Sequence, residues 1–498
     1  MEQRNTRSFG LVWLGLVLIL SAWATRTSHG VIDIDLWHQL SLARETAQLG
    51  AVPQTDSYAY TPTITPLVHH EWGAGIIEYW ALSLAGAAGI VALTFSSLAA
   101  ACFFAVACAW RQKADERILA LAGIIVAPLF AMGFQPVRAQ AYSLVFLAAL
   151  LFLIELDRQG VRWALFAWCP VFVLWVNCHA SYVLAFAILG IYWLTSLWER
   201  RRSFHILGVM ALCSGLMAVN PYGLAMYPYM WRALRMPRTM VDEWSPVWHG
   251  RFAPLLRPFL ISVALVVYSV WQRGGGFFKR TASAQPAATI LLMAYGGMHI
   301  KLLPYFAIVF LAYFPGLFGE TKVGVRVSAI LTRNRNAVRV TWALVMLVAI
   351  AGLWMLRFWT VQVPDHGDVA SYPVGAVDYL ARESFKGNLM TQFNEGAYIS
   401  WKLYPRVRVS VDSRYEAVYP EWLIPLNETA YGAGDWRAFV ARYPTDVILT
   451  RRGSVMESAL AGAWKQVYRD GAYSLFARPG IELPVVDNGT QTFNGTLP

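Results

Sequence analysis

Charged residues are scarce in this sequence. They make up 14% of its 498 residues, whereas hydrophobic residues make up 57%. Soluble domains carry roughly 25% charged residues, because polar side chains must cover every hydrophobic core. The shortage of charge excludes a soluble enzyme, and the hydrophobic content excludes a disordered chain or a collagen-like fibre. The composition therefore indicates a polytopic membrane protein.

Cysteine is scarce as well. All five cysteines lie inside or at the end of apolar runs, and none follows Cys213. The chain has no Cys-x-x-Cys pair and no cysteine spacing suited to zinc. We interpret these cysteines as small buried residues of helices.

Long apolar runs are abundant, and a membrane span needs roughly 20 such residues. The run from Phe9 to Ala24 follows Arg4 and Arg7, and it lacks a small-x-small cleavage site followed by a soluble chain. We interpret it as an uncleaved first span. The segment from Trp72 to Leu84 is too short to span and ends before Gly86, so we predict an interfacial or re-entrant helix there. About eleven spans are predicted, at residues 9–25, 89–110, 118–134, 139–156, 163–178, 180–198, 204–220, 258–272, 286–300, 303–319 and 341–358.

Basic residues are distributed unevenly around these spans. Eighteen Lys and Arg residues fall in the predicted inner segments, whereas the short outer loops hold only Arg138 and Lys301. The positive-inside rule then places the N-terminus in the cytoplasm and the C-terminal region outside. The formal charge of +11 is therefore mostly an orientation signal. We predict no nucleic-acid partner.

The predicted domains are residues 1–361, an α-helical membrane domain whose first outer loop is 26–72, then an extracytoplasmic α/β domain at 362–480 and a flexible tail at 481–498. Strand-like and helix-like runs alternate after residue 362, which is typical of an α/β domain. The strands are predicted at 388–393, 406–411 and 446–450 with a hairpin at 464–478, and the helices at 374–383, 396–404 and 435–443.

Polar residues concentrate in the predicted outer loops, which indicates an active site at the outer face. The segment Asp33-Ile34-Asp35-Leu36-Trp37-His38 directly follows the first span. Two carboxylates at this spacing can share a cation, divide the roles of base and orienting group, or cap a helix.

The same loop closes with His69-His70-Glu71-Trp72. This segment lacks the i, i+4 histidine spacing of a zinc helix, so metal binding, hydrogen bonding to a sugar and support of the aspartates are all open. Trp72 fits either stacking on a sugar ring or an interfacial aromatic belt.

The later outer loops add two isolated cations, Arg138 and Lys301. These would suit a phosphate at the membrane surface, or equally an ordinary lipid headgroup. Further polar candidates in these loops are Gln140, Asn177, His179, Glu243 and His299.

Several segments resemble, in order along the chain, motifs of bacterial GT-C superfamily glycosyltransferases. The first loop is similar to D-x-D-x-W-W-H, then G-x-x-P-x-x-D-x-x-S/A-Y-T, then an H-x-E-W or W-x-E-W segment. These motifs appear as Asp33–His38, Gly50–Thr61 and His70–Trp72. Later matches are Arg138-Ala139-Gln140 to R-P-Q, Trp175–His179 to W-x-N-x-H, Asn220–Gly223 to N-P-x-G, Glu243–Pro246 to E-W-x-P, Phe393–Tyr398 to the outer domain, and Asp412-Ser413-Arg414 to D-G-R. Ala139, Lys301 and Ser413 depart from the usual Pro, Arg and Gly.

The resemblance implies a membrane glycosyltransferase, mannosyltransferase-like, that uses a polyprenyl-phosphate-linked sugar and inverts the anomeric centre. The implied acceptor is a hydroxyl of a glycan, lipid or protein. Asp33 or Asp35 would be the base, supported by His38, His70 and Glu71. Arg138, His299 and Lys301 would contact the lipid phosphate. No cofactor is certain: a divalent cation, Mg or Mn, would be held by Asp33 and Asp35 if one is used.

Other functions fit the composition. A transporter or flippase of lipid-linked glycans would need ionisable residues at mid-membrane depth, and the spans are nearly free of charge. A non-catalytic membrane scaffold and a ligase that uses a diphosphate donor also remain open.

Overall fold

The structure is a computed structural model that describes residues 15–17, 20–21, 31–130, 138–236, 242–274, 283–333, 347, 361–366, 371–433 and 435–497. The predicted spans 9–25 and 341–358 lie mostly outside these residues. Helices dominate the described chain as far as residue 333. They are α1 Ile34–Leu49, α2 Trp72–Arg111, α3 Glu116–Phe130, α4 Gln140–Arg158, α5 Trp163–Phe166, α6 Trp168–Cys178, α7 Val183–Trp198, α8 Phe204–Leu216, α9 Met226–Arg235, α10 Ala253–Arg273, α11 Ala284–Met298, α12 Leu303–Gly319 and α13 Lys322–Arg333.

Among the described residues, five helical segments are long and apolar enough to cross a membrane. They are Trp72–Arg111, Gln140–Arg158, Ala180–Trp198, Gly250–Arg273 and Ile300–Gly319, and Trp163–Cys178 and Phe204–Leu216 are shorter apolar helices. The chain is therefore a helical membrane protein, while the total of about eleven spans stays a prediction.

Helix α2 is broken about a third of the way from its start. Ala85 and Gly86 have non-helical backbone angles, and Gly86 has a φ of 57°. An L side chain adopts a positive φ only at a cost, so glycine is the residue suited to this break. The break lies where the sequence predicts the end of a short helix that starts at Trp72.

A second group of elements follows residue 362. The strands are β1 Val363–Pro364, β2 Gly387–Met390, β3 Val407–Val409, β4 Val447–Arg451, β5 Lys465–Arg469, β6 Tyr473–Ala477, β7 Val486–Asp487 and β8 Asn494–Gly495. The helices are α14 Val374–Arg382, α15 Gly396–Leu403, α16 Tyr415–Val418, α17 Leu423–Ala433, α18 Trp436–Arg442 and α19 Val455–Leu460. The predicted strands, hairpin and helices of this region are all present at positions close to those expected.

The main sheet has the order β3-β2-β4-β6-β5-β7. Strands β3, β2 and β4 are parallel, β6 runs antiparallel to both β4 and β5, and β7 is parallel to β5. Strands β1 and β8 form a separate antiparallel pair. Strands β7 and β8 lie in the segment for which the sequence predicts a flexible tail.

The chain divides into two compact units. Unit 1 contains residues 1–29, 91–220 and 237–359, and unit 2 contains residues 30–90, 221–236 and 360–498. This division groups the first outer loop with the C-terminal region, whereas the predicted boundaries assign residues 26–72 to the membrane domain.

Unit 1 is built around α12. Nearly all residues from Leu303 to Phe318 are buried, and α12 packs against α3, α4, α10 and α11. Because α12 is apolar on all sides, burial by neighbouring helices is the environment that its sequence favours.

Unit 2 joins the first loop to the sheet by backbone pairing. Ala59 forms a parallel bridge with Val409 of β3. Val409 donates its N–H to the Tyr58 carbonyl at 3.0 Å, and Tyr60 donates its N–H to the Val409 carbonyl at 3.1 Å. The loop thus covers the open edge of β3, which would otherwise expose unpaired backbone groups.

Candidate active site

The two aspartates of the first loop lie at the start of α1, in unit 2. Asp33 is the N-cap residue, and one of its carboxylate oxygens accepts a hydrogen bond from the Asp35 N–H at 3.0 Å. Asp33 is buried, whereas the Asp35 side chain is 22% exposed. The capping role that the sequence left open thus applies to Asp33. Asp35 is the more accessible of the two carboxylates.

His38 lies one turn further along α1. Its Nδ1 is 2.9 Å from the Ser413 hydroxyl and 4.0 Å from an oxygen of Asp35. Its Nε2 is 3.5 Å from an oxygen of Glu71. The His38 ring is therefore held between the start of α1 and the two segments that carry Ser413 and Glu71.

Glu71 is the centre of this group. It is buried, and it accepts a hydrogen bond from the Gln39 side-chain amide at 2.8 Å. Its other carboxylate oxygen is 3.4 Å from Nε2 of His70, whose Nδ1 is 2.5 Å from the Tyr229 hydroxyl. We call Asp33, Asp35, His38, His70 and Glu71 the first-loop cluster. The structure brings together all five residues that the sequence predicts to be catalytic.

His69 lies next to this cluster. Its ring packs edge-on against His38 with the ring centroids 5.2 Å apart. Burial, and then the charge that His38 would carry, keep the pKa of His69 well below its usual range. His69 therefore stays neutral at physiological pH.

A buried ion-pair network supports the segment that contains Ser413. The Arg414 guanidinium bonds both carboxylate oxygens of Asp412, at 2.7 to 3.0 Å, and also bonds Asp56 of the first loop. Burial alone would raise the pKa of Asp412, but the charge and hydrogen bonds of Arg414, together with the His38 charge, outweigh burial and hold that pKa below its ordinary value. The network fixes the backbone on both sides of Ser413 and so fixes the hydroxyl that bonds His38.

An aromatic layer lies beside the first residues of α1. The Trp37 ring packs edge-on against Tyr372 and Tyr398, with centroids 5.6 and 5.0 Å away. The Tyr372 hydroxyl donates to the Ile32 carbonyl at 2.6 Å, immediately before Asp33. These contacts hold the start of α1 in one position.

A second polar cluster lies in unit 1. Arg138 bonds one carboxylate oxygen of Glu243, and the Lys301 ammonium is 3.8 Å from the other. Gln140 donates its side-chain amide to the Lys301 carbonyl at 2.7 Å. We call Arg138, Glu243 and Lys301 the Arg138 cluster.

The charges of the Arg138 cluster are coupled. Burial would raise the pKa of Glu243, but Arg138, and then Lys301, lower it well below its ordinary value. Glu243 is therefore ionised at physiological pH, and the cluster carries two cations for one carboxylate. The excess positive charge suits an anionic ligand.

His299 adjoins the Arg138 cluster through the backbone. Its Nδ1 is 2.9 Å from the carbonyl oxygen of Trp244, and its ring packs edge-on against the Trp244 indole. Ile300 also donates its N–H to the Ser245 carbonyl at 3.0 Å. The segments 242–247 and 297–301 thus hold His299 and Lys301 in place.

The remaining predicted residues of unit 1 have other partners. His179 contacts the hydroxyls of Ser143 and Ser181 at 3.0 and 2.7 Å. Asn177 donates its amide to the carbonyls of Val173 and Val219 at 2.8 and 2.9 Å. These hydrogen bonds fix the end of α6, and the substrate-binding role of His179 and Asn177 stays a prediction.

Trp72 is the first residue of α2 and is half-buried. It follows Glu71 directly, so the position of the first-loop cluster fixes that of Trp72.

No group of three or more His, Cys, Asp and Glu side chains is arranged to hold a metal ion within the described ranges. Asp33 and Asp35 are the residues that the sequence offers for a divalent cation, and Asp33 uses its carboxylate as a helix cap. Cation binding by these two carboxylates stays a prediction.

Sequence comparison gives no relatives: no family model and no curated protein matches the chain. Solved structures do match. The apo oligosaccharyltransferase of Archaeoglobus fulgidus has a TM-score of 0.51 at 11% identity over 95% of this chain and 75% of that one. The A. fulgidus oligosaccharyltransferase AglB, in complex with an inhibitory peptide and a dolichol-phosphate, has a TM-score of 0.53 at 11% identity. That match covers 89% of this chain and 70% of AglB. ArnT from Cupriavidus metallidurans, bound to undecaprenyl phosphate, has a TM-score of 0.50 at 12% identity. That match covers 94% of this chain and 98% of ArnT.

These TM-scores establish a similarity of fold, and at 11–12% identity they establish the fold alone. The fold resemblance that the motifs predict is confirmed at that level.

Proposed function

We propose that the chain is an integral membrane glycosyltransferase. It moves a sugar from a polyprenyl-phosphate donor to an acceptor hydroxyl at the outer face of a bacterial inner membrane. The observation that carries this proposal is the first-loop cluster, in which paired carboxylates meet two histidines and Glu71. The bound dolichol-phosphate and undecaprenyl phosphate of the matching structures support a lipid-phosphate donor.

Asp35 is our choice for the general base. It is partly exposed, whereas the carboxylate of Asp33 is buried and engaged in capping α1. A base must reach the proton that it removes, so accessibility favours Asp35. Glu71 orients His38 and His70, and Ser413 fixes the other face of His38.

The reaction proceeds by direct displacement. Asp35 takes the proton of the acceptor hydroxyl while the oxygen of that hydroxyl forms a bond to the anomeric carbon. The bond from that carbon to the phosphate oxygen breaks, its electron pair goes to the phosphate, and polyprenyl phosphate leaves. Attack from the face opposite the leaving group inverts the anomeric centre.

Arg138 and Lys301 would stabilise the charge that develops on the leaving phosphate. His299, held through Nδ1 by the Trp244 carbonyl, would contact the same phosphate. Gln140 would position Lys301 through its carbonyl, and Trp72 would contact the sugar. A departing lipid monophosphate needs no further cation beyond these partners, and no step is assigned to a metal.

Sugar transfer by the purified full-length chain tests the proposal, with polyprenyl-phosphate sugars as donors. Asp35→Asn should lower kcat by roughly 10²- to 10⁴-fold, the range of general-base catalysis. Asp33→Asn is the matched control, because asparagine is an equally good helix cap and should cost much less. Lipid-linked sugar analysis of cells that lack the protein would identify the donor and acceptor.

Full activity in the Asp35→Asn variant would exclude Asp35 as the base. The absence of transfer from every polyprenyl-phosphate sugar, with glycan export impaired instead, would favour a flippase.

A further inference from the structure

A polar cavity of about 490 Å³ lies within unit 1, away from the Arg138 cluster. Helix α4 starts beside Arg138 and reaches the cavity with Arg158 in its last turn. Helix α12 starts beside Lys301 and reaches it with Gly319. At 1.5 Å per residue, the 19 residues of α4 separate the cavity from the Arg138 cluster by roughly 28 Å. The volume is within the range of ~300–1,000 Å³ that is usual for ligand sites.

The carboxylates that line the cavity already have donors. Asp115 accepts a hydrogen bond from the Ser328 hydroxyl at 2.7 Å and also pairs with Arg117. Glu155 accepts one from the Gln285 amide at 3.0 Å. These acids therefore have little remaining capacity to attract a cationic ligand.

The cationic side chains of the cavity offer hydrogen-bond donors to a ligand. The Arg273 guanidinium bonds Glu320 through Nη2 at 2.8 Å, but its buried Nε has no hydrogen-bond partner among the residues that the structure describes. The exposed Lys113 lines the same cavity. A buried N–H that lacks an acceptor is costly, so a ligand that supplies oxygen atoms would be favoured.

We propose that this cavity binds the phosphate group of a phospholipid through Arg273 and Lys113. A phosphate has several acceptor oxygens and a negative charge, which match a planar guanidinium and a nearby ammonium. This site is separate from the proposed transfer chemistry, because it lies at the other end of α4 and α12.

The position of the cavity favours a lipid over a soluble phosphate compound. It lies at the ends of apolar helices, where lipid headgroups would be found. Helix α13 forms one wall and carries Lys322, Arg326 and Arg333 on its exposed side. Val325 of the same helix lines the cavity and is 57% exposed. A helix with exposed basic and apolar residues suits an anionic membrane surface.

Native mass spectrometry of the full-length chain tests the proposal, after exchange into detergent with dioleoylphosphatidylglycerol. The wild type should retain this lipid, and the double variant Lys113→Gln/Arg273→Gln should retain it about tenfold less. Folding should survive, because Glu320 is more than half exposed and tolerates loss of its partner. Arg202→Gln is the matched control, since Arg202 is an exposed arginine outside the cavity. Sugar transfer should be unchanged in all three proteins.

The proposal is overturned if the wild type and the double variant retain phosphatidylglycerol equally. It is also overturned if the wild type retains a phosphate-free galactolipid with the same acyl chains as well as it retains phosphatidylglycerol. A third result would overturn the lipid as the occupant of the cavity: inorganic phosphate raises the Tm in a way that depends on Arg273, and no lipid is retained. The same donors would then be assigned to a soluble phosphate compound.

Discussion

Asp33 and Asp35 are two residues apart, yet their carboxylates have different environments. One caps α1 and is buried, while the other is partly exposed beside His38. The position of Asp33 at the N-cap of α1 causes this difference, because a cap residue turns its side chain back toward the first N–H groups of the helix. The capping contact, which depends on local sequence, thus gives two otherwise identical side chains different environments, and only Asp35 keeps the exposure that the proposed base requires.

Arg138 should matter more than Lys301 for the donor phosphate. It bonds Glu243 directly and offers a planar fork, whereas Lys301 lies 3.8 Å from the same carboxylate. Arg138→Gln should lower kcat/KM for the lipid donor by about 10²-fold, and Lys301→Gln by less. Lys301→Arg is the control and should retain activity. Steady-state kinetics at several donor concentrations would measure these effects, and equal losses in both Gln variants would contradict this ranking.

The ion pairs of Glu243 should make stability depend on pH. Its folded-state pKa lies below the unfolded value, so the pairs stabilise the fold fully above the unfolded pKa of roughly 4.5 and lose that effect as pH falls toward the folded pKa. Glu243→Gln should therefore lower the Tm at pH 7, and the difference from wild type should narrow near pH 4. Thermal unfolding in detergent at both pH values would measure it. A difference that widens on acidification would contradict the assignment.

Among the elements, α1 depends on contacts far away in sequence. It packs against α15, and its residue His38 bonds Ser413. Gly396 allows a close approach at the start of α15, since a Cβ there would lie 2.0 Å from the Val411 carbonyl oxygen. Neither contact has a local sequence signal.

The Arg414 network should be the main electrostatic support of this arrangement. Arg414→Gln would leave the carboxylates of Asp56 and Asp412 buried without their countercharge, at a cost of about 3–5 kcal/mol in the free energy of unfolding. Arg408→Gln on β3 is the matched control, because Arg408 is exposed and should change stability little. Denaturation monitored by tryptophan fluorescence would measure both variants, and a neutral Arg414→Gln would refute this role.

Elements were easier to predict than the site that they form. The strand and helix positions after residue 362 follow from local alternation, as in the hairpin of β5 and β6. The residues of the first-loop cluster could be named because they share one short segment. Tyr229, Gln39 and Ser413 could not be assigned contacts, because their partners depend on tertiary packing. A bond from Tyr229 to His70 spans 159 residues, and no periodic pattern encodes it.

For the whole molecule, the uneven distribution of basic residues predicts an extracytoplasmic C-terminus. Alkaline phosphatase fused after residue 498 should be active in cells, because this enzyme folds only outside the cytoplasm, where disulfides form. A fusion after Arg202, in a predicted inner loop, should be inactive. The reverse pattern would show that the chain is inverted and would move the first-loop cluster to the cytoplasmic face.

The pairing of Tyr58 and Tyr60 with Val409 has a consequence for biosynthesis. The ribosome makes about 5–20 residues per second, so the strand that completes the first loop emerges roughly 20–70 seconds after the loop itself. During that interval the loop lacks its permanent partner. A nascent chain would therefore hold every residue of the first-loop cluster before the β3 edge that completes the loop is made. On the proposed function, premature termination after α13 should yield an inactive product.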